Sequence, residues 1–195
     1  MSGLSIRWAN EAELRRFVSA FQKLGDQGVT KVGVRAVNRT GDMAKTQVVR
    51  ALTRQTGLKR PTIVKTIGNP KKANFGDLSY EMRAKGGDVS LKYFAAREIR
   101  RGTSAAPFGK RQVFAGAFMR GGVFPKRVVA KRLNGHVFER EGKARLPISK
   151  LKSGVVIPAE MVKGETAQAF GRSVSANLPR RIEHELRRLT GGVVS

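Results

Sequence analysis

The chain has no cysteine, two histidines, one tryptophan and only 14 acidic residues in 195. Without cysteine there are no disulfides, no thiolate metal sites and no cysteine nucleophile. His136 and His184 fall in different predicted elements with no partner at ligand spacing. A zinc site needs a full set of Cys, His or carboxylate donors, so none is expected. No apolar run approaches the roughly 18 residues of a membrane span. The opening MSGLSIRWANEAELRRF lacks an apolar segment leading to a small-residue cleavage site. No signal peptide is therefore expected, and synthesis in the cytoplasm follows. The chain also has no G-x-S-x-G elbow, no G-x-x-x-x-G-K-[ST] loop and no G-x-G-x-x-G fingerprint, so hydrolase and phosphate-loop chemistry has no residues to use. The glycines 116, 121, 122 and 135 read as loop punctuation. A phosphate cradle would run straight into a helix, and Gly121-Gly122 leads instead to Val123-Phe124-Pro125.

The few carboxylates do not form a nuclease cluster. Metal-assisted hydrolysis needs several acids converging on one site. Asp77 and Glu81 flank a strand start, Asp88 sits in a turn and Asp42 lies in a helix. They read as turn formers and as partners for an excess of cations. No catalytic residue, metal or cofactor is predicted, and the chain is not expected to be an enzyme.

What the chain has in excess is positive charge. Lys and Arg number 39, which gives a net charge of +25, against the roughly 2–8 typical of a well-behaved small domain. Such a molecule repels its own copies and seeks polyanions. The charge is also patterned. No Asp or Glu occurs from Ile99 to Phe138, a span holding Arg100, Arg101, Lys110, Arg111, Arg120, Lys126, Arg127, Lys131 and Arg132. A second acid-free span, Met43 to Gly76, holds Lys45, Arg50, Arg54, Lys59, Arg60, Lys65, Lys71 and Lys72. Runs of this kind contact phosphates and release counterions, with about six phosphates already giving steep salt dependence. The bland alternative is a solvated face. Phe108, Phe114, Phe118 and Phe124 could stack on bases, but core packing suits them better, with Phe114 and Phe118 on one face of a predicted strand.

The periodicity predicts an α+β fold with helices at both ends and a central antiparallel sheet with long basic loops. One domain over 1–195 is expected, with a helical segment about 10–68, a β region about 75–157 and C-terminal helices about 159–190. Asn10 and Glu13 make a capping box ahead of Leu14, Phe17, Val18, Phe21 and Leu24. A second helix should cover about 27–55, bending or breaking near Gly41-Asp42 and ending at Gly57. Pro61 should open a short helix closed by Gly68. Alternation over 78–84 and 89–93 around Lys85-Gly86-Gly87-Asp88 predicts a hairpin. Residues 100–112 read as an exposed loop, 113–119 and 135–140 as strands, and 120–134 as a long basic connection. Pro179 should open a fresh final helix, with Ile182, Leu186 and Leu189 on its stripe and Gly191-Gly192 as its stop.

Several stretches, in order, resemble the minor tail protein Z family of long-tailed phages and prophages, the tail completion proteins of lambda-like siphophages. VVRALTRQTGLKRPTIVKTI is similar to the family's basic helix, its T-G-L element and a second basic helix. FAGAFMRGG is similar to its G-A-F-I/M element. GHVFEREGKARLPISKLKSGVVIP follows its H-V-F-x-R, basic turn and L/Y-P-I pattern, and LPRRIEHELRRL resembles its closing helix. The resemblance covers about residues 30–190. It implies a structural virion protein at the head-proximal end of the tail, in the neck or head–tail connector region, needed for tail completion and genome ejection. Its implied partners are the tail tube, the tail terminator and other neck proteins. A homo-oligomeric ring, a hexamer by preference, would have DNA in its lumen, without membrane or cofactor. On this reading Arg100, Arg101, Lys110, Arg111, Lys126, Arg127, Lys131 and Arg132 meet DNA or an acidic partner. Phe138, Arg140, Leu146, Pro147 and Ile148 form a neighbour contact, with the Leu146-Pro147-Ile148 segment as an extended arm. The alternative is a free-standing basic nucleic-acid-binding protein, which explains the charge but not the ordered motifs.

Overall fold

The computed structural model describes residues 3–6 and 25–189. The predicted helix at Asn10–Leu24 and the stop at Gly191-Gly192 lie outside the described residues. The fold is α+β, with helices toward both ends and small antiparallel sheets between them.

Helix α1, Asp26–Thr56, is roughly 46 Å long at 1.5 Å per residue. Its apolar positions recur at three- and four-residue steps and bury Val37, Ala44, Val48 and Leu52. The expected break at Gly41 does not occur, and the helix runs through it unbroken. Gly41 is there to make room: the Tyr80 ring occupies the space of its missing Cβ. Tyr80 then donates its hydroxyl to Asp42 at 2.9 Å. Gly57 ends the helix in the left-handed region (φ 75°), its N–H bonded to Thr53 O at 3.1 Å. Helix α2, Arg60–Ile67, starts with Pro61 in its first turn and ends at Gly68 as predicted. Lys45 donates to Gly68 O at 2.6 Å and ties α1 to the end of α2.

The strands are β1 (Gly3–Ile6), β2 (Tyr80–Arg83), β3 (Asp88–Ser90), β4 (Arg97–Ile99), β5 (Gly102–Ala105), β6 (Gln112–Ala115), β7 (Phe138–Arg140), β8 (Ile148–Lys150) and β9 (Lys152–Val156). The predicted 78–84/89–93 hairpin is not formed. β2 pairs with β1, Gly3 opposite Arg83 and Ile6 opposite Tyr80, while β3 pairs with β9. The reason is that both edges of β2 are taken: Glu81 exchanges two 2.9 Å backbone bonds with Lys71 on the side away from β1. Beyond Ser90 the chain winds into a 3-10 turn, Leu91–Tyr93, which buries Leu91.

The predicted exposed loop at 100–112 is also corrected. Gly102–Ala105 is the buried central strand of the three-stranded β4–β5–β6 sheet. Its small residues gave no hydrophobic signal, yet smallness is what the site needs, because a Cβ at Gly102 would collide with Phe114 O. The predicted strand 113–119 stops at Ala115. Gly116 (φ 72°) turns the chain, so Phe114 and Phe118 do not share a strand face, and Phe118 forms a bridge to Phe138. β7 and β8 form a hairpin closed at 141–147, Arg140 opposite Ile148.

β9 leads into a short helix α3, Ile157–Met161, and then α4, Gly164–Leu189. Pro179 does not start a new helix; it lies inside α4. An interior proline costs about 3 kcal/mol. Burial of Thr166 and Ser173 before it, and of Ile182 and Leu186 after it, holds the helix together across that point. Ile182 and Leu186 pack with Val32 and Ala36 of α1. Gln55 joins three elements: it donates to Glu160 Oε2 at 2.7 Å and accepts from Thr166 N and Oγ1 at 3.2 and 3.0 Å.

Candidate assembly and polyanion-contact surface

The predicted cations fall into separate groups. Arg100 and Arg101 form the exposed turn between β4 and β5. Lys110 and Arg111 sit at the opposite end of that sheet, after the 3-10 turn Pro107–Gly109. Lys110 is exposed. Arg111, also exposed, reaches back to Ser104 Oγ at 3.2 Å. Lys131 and Arg132 stand exposed on a further 3-10 turn, Lys131–Leu133.

The 119–128 segment is held down by one carboxylate that the sequence reading did not single out. Glu98 Oε1 accepts from Met119 N at 2.6 Å, Arg120 N at 3.0 Å and Arg127 Nη1 at 2.7 Å. The pair is largely buried, with Glu98 10% and Arg127 16% exposed. Arg127 is thus a clamp whose charge is already answered, whereas Lys126 beside it is exposed. The signal was present: Glu98 is the last acid before the cation-rich span. Past the clamp, Gly121 and Val128 exchange two 2.9 Å backbone bonds and close a loop. That loop shows solvent Val123, 80% exposed, and its base shows Val128 and Val129, each 70%.

At the β7–β8 hairpin the predicted contact residues divide. Phe138 stacks on Phe118 with centroids 6.4 Å apart. Arg140 lies over the Phe118 ring at 5.4 Å and donates to Arg145 O at 2.6 Å, closing the turn. Both are therefore engaged within the chain. Leu146 is 66% exposed, and the exposed Pro147 is tied to the chain through its carbonyl, which accepts from Glu141 N at 3.3 Å across the turn. Ile148 is half-buried and paired with Arg140, so the segment is a hairpin strand rather than a free arm.

Asp42, Asp77, Glu81, Asp88 and His136 are each bonded within the fold. Lys71 lies 2.7 Å from Asp77 and holds that carboxyl down to about 2, with help from Ser79. Glu81 pairs with Arg83 at 2.6 Å. Asp42 takes Lys72 at 2.9 Å as well as Tyr80, and burial, then that bond, raises the Tyr80 phenol. Asp88 accepts from Ser153 N and Gly154 N at 3.1 and 2.9 Å. His136 Nδ1 makes a 2.7 Å hydrogen bond with Ser90 Oγ. Partial burial, then Lys92 and Lys150, lowers its pKa. Among the described residues no group of three His, Cys, Asp or Glu side chains is placed to hold a metal ion. Nor is any described helix long and apolar enough to cross a membrane. The second acid-free span contributes Lys65 and Lys71 to an open cleft of about 550 Å³ shared with Glu81, Arg83 and Lys85.

A family model described as prophage minor tail protein Z matches residues 13–191. The chain belongs to that family. Prophage minor tail protein Z is a structural family of the phage tail and not an enzyme family, which places the chain in the virion tail among other tail or neck proteins. Comparison with curated proteins and with solved structures gives no match.

Proposed function

We propose that the chain completes the head-proximal end of a siphophage-type tail, in the neck, and is required there for head–tail joining. Its neighbours are the tail tube and the tail terminator, and it acts as one copy of a homo-oligomeric ring, with six copies the favoured number, around the path of the DNA. It carries out no reaction.

The observation that carries this reading is family membership combined with the exposed cations of the acid-free span. Copies of a chain with net charge +25 repel one another unless counter-charge lies between or beside them. DNA in a lumen supplies it, because each phosphate met by Lys or Arg releases a condensed counterion. Arg100 and Arg101 are exposed and free of carboxylate partners among the described residues, so they are the first candidates for that contact; Lys131 and Arg132, equally exposed, are candidates for an acidic protein partner. The exposed Leu146–Pro147 turn of the β7–β8 hairpin is the candidate contact with a neighbouring copy or tail protein.

The deciding experiment is electron microscopy of particles made by a phage or prophage lacking this protein. The reading expects full heads and separate tails that are abnormal at one end. Normal, head-joined tails would overturn it. Gel filtration of the pure chain adds a second check: a ring, or a complex with tail-tube protein, is expected, and a monomer that shifts duplex DNA at physiological salt points to a free-standing nucleic-acid binder.

A further inference from the structure

We infer that the loop closed by Gly121 and Val128 is a preformed docking knob for a different protein, whose matching face is apolar at its centre and carboxylate-rich at its rim. This rests on the assembly reading above and names the chemistry of one neighbour.

The first argument is that the knob is built. Its base is pinned by Glu98, which gathers two backbone N–H groups and the Arg127 guanidinium onto one oxygen. Its neck is closed by the paired backbone bonds of Gly121 and Val128. Removing a carboxylate and a guanidinium from water is costly, and here it supports a structure that leaves Val123, Val128 and Val129 in solvent. That arrangement gives folding little return. It does lower the ordering cost of binding, which is the usual gain from a fixed loop.

The second argument is the composition of the knob. Exposed aliphatic side chains are surrounded in sequence by Arg120, Lys126, Lys131 and Arg132, and the whole of 99–138 holds no acid. An apolar centre with a charged, solvated rim is the anatomy of a protein interface. The rim charge selects the partner. A second copy of this chain would set cation against cation. DNA would meet the cations, but its phosphates would lie against Val123, Val128 and Val129, and a single ring, Phe124 at 39% exposure, is far short of the row of stacking platforms that a nucleic-acid surface offers. A protein surface with apolar residues inside a ring of Asp and Glu satisfies both components and gains on-rate from electrostatic steering.

The test is made in cells producing phage, with the full chain. A photo-crosslinking amino acid is placed at Val123, and the crosslinked species is identified by mass spectrometry. The expected product is a different virion protein, with the attachment point beside carboxylates. The charge-reversed Lys126→Glu/Arg132→Glu chain is expected to lower its yield at least about tenfold. Crosslinking to a second copy, to DNA or to lipid overturns the proposal. As a second reading, Val123→Asp/Val129→Asp should fold normally by circular dichroism, since both positions are exposed. It should lower infectious titre by roughly a hundredfold or more when two anchoring side chains are lost. Wild-type titre overturns the proposal. A deletion that leaves tails normal counts against tail completion, whereas a deletion that blocks tails while the double aspartate chain restores them counts only against the knob. The crosslink is read in either case.

Discussion

The ring of Tyr80 fills the space that a side chain at Gly41 would need. The cost of a mid-helix glycine, about 1 kcal/mol against alanine, is thereby exchanged for the close packing of a fully buried aromatic on α1. The pair is fixed at its far end by the 2.9 Å bond from the Tyr80 hydroxyl to Asp42.

Gly41→Ala should therefore destabilise the protein, although alanine is the better helix former. Overpacking of this kind costs about 1–3 kcal/mol, which outweighs the propensity gain. Denaturant unfolding checks it, and Tyr80→Leu supplies the control, because in that background the alanine should cost less. A neutral or stabilising Gly41→Ala would show that the helix adjusts freely.

Glu98→Ala should cost about 3–5 kcal/mol, the range for leaving a buried charge without its partner, here Arg127. The loss should be read locally by hydrogen exchange at the Met119 and Arg120 amides, which lose their acceptor. Glu98→Gln keeps an acceptor oxygen and should protect both amides better than alanine does. Unchanged exchange at both amides in the alanine variant would remove Glu98 from its role as clamp.

Acidification should weaken the fold in two separate windows. The His136 pKa is lower in the folded chain than its ordinary 6.5, so the unfolded state binds the proton more tightly. The His136 contribution is complete above about 6.5 and is lost as pH falls through the lower folded value. Asp77 also has a lowered pKa, about 2 against 3.8. Its contribution is complete above about 4 and is lost only as pH falls toward 2. Thermal melts from pH 7.5 downward should show the first step, and His136→Gln should flatten it. An identical pH profile in that variant would assign the step to another group.

How much of this was legible in the sequence depended on the range of the interaction. Gly57, Pro61 and Gly68 announced helix ends because capping is local, and each ends or starts a helix where expected. The α+β class followed from periodicity for the same reason. Pairing failed because it is non-local. Nothing within 78–93 shows that β2 is already flanked by Gly3–Ile6 and Lys71. Gly102–Ala105 looked like loop because a strand made of small residues carries no hydrophobic stripe. In the candidate surface, the cations were visible by count. Their sorting into exposed groups and an internal clamp depended on Glu98, whose partners lie more than twenty residues away.

The β7–β8 hairpin allows a prediction in which two neighbouring substitutions behave differently. Leu146→Asp places a charge on a side chain that is 66% exposed and engaged in no described contact of the fold. The isolated chain should keep its stability within about 0.5 kcal/mol, as surface changes do. Ile148→Asp changes a half-buried residue of β8 paired with Arg140, so it should lower stability as well as assembly. If Leu146 meets a neighbour in the tail, Leu146→Asp should match wild type in a thermal melt yet fail to restore infectious particles to a phage lacking the protein. Restoration to wild-type titre by Leu146→Asp, with failure by Ile148→Asp alone, would mean that the hairpin matters for folding and that its turn touches nothing in the virion.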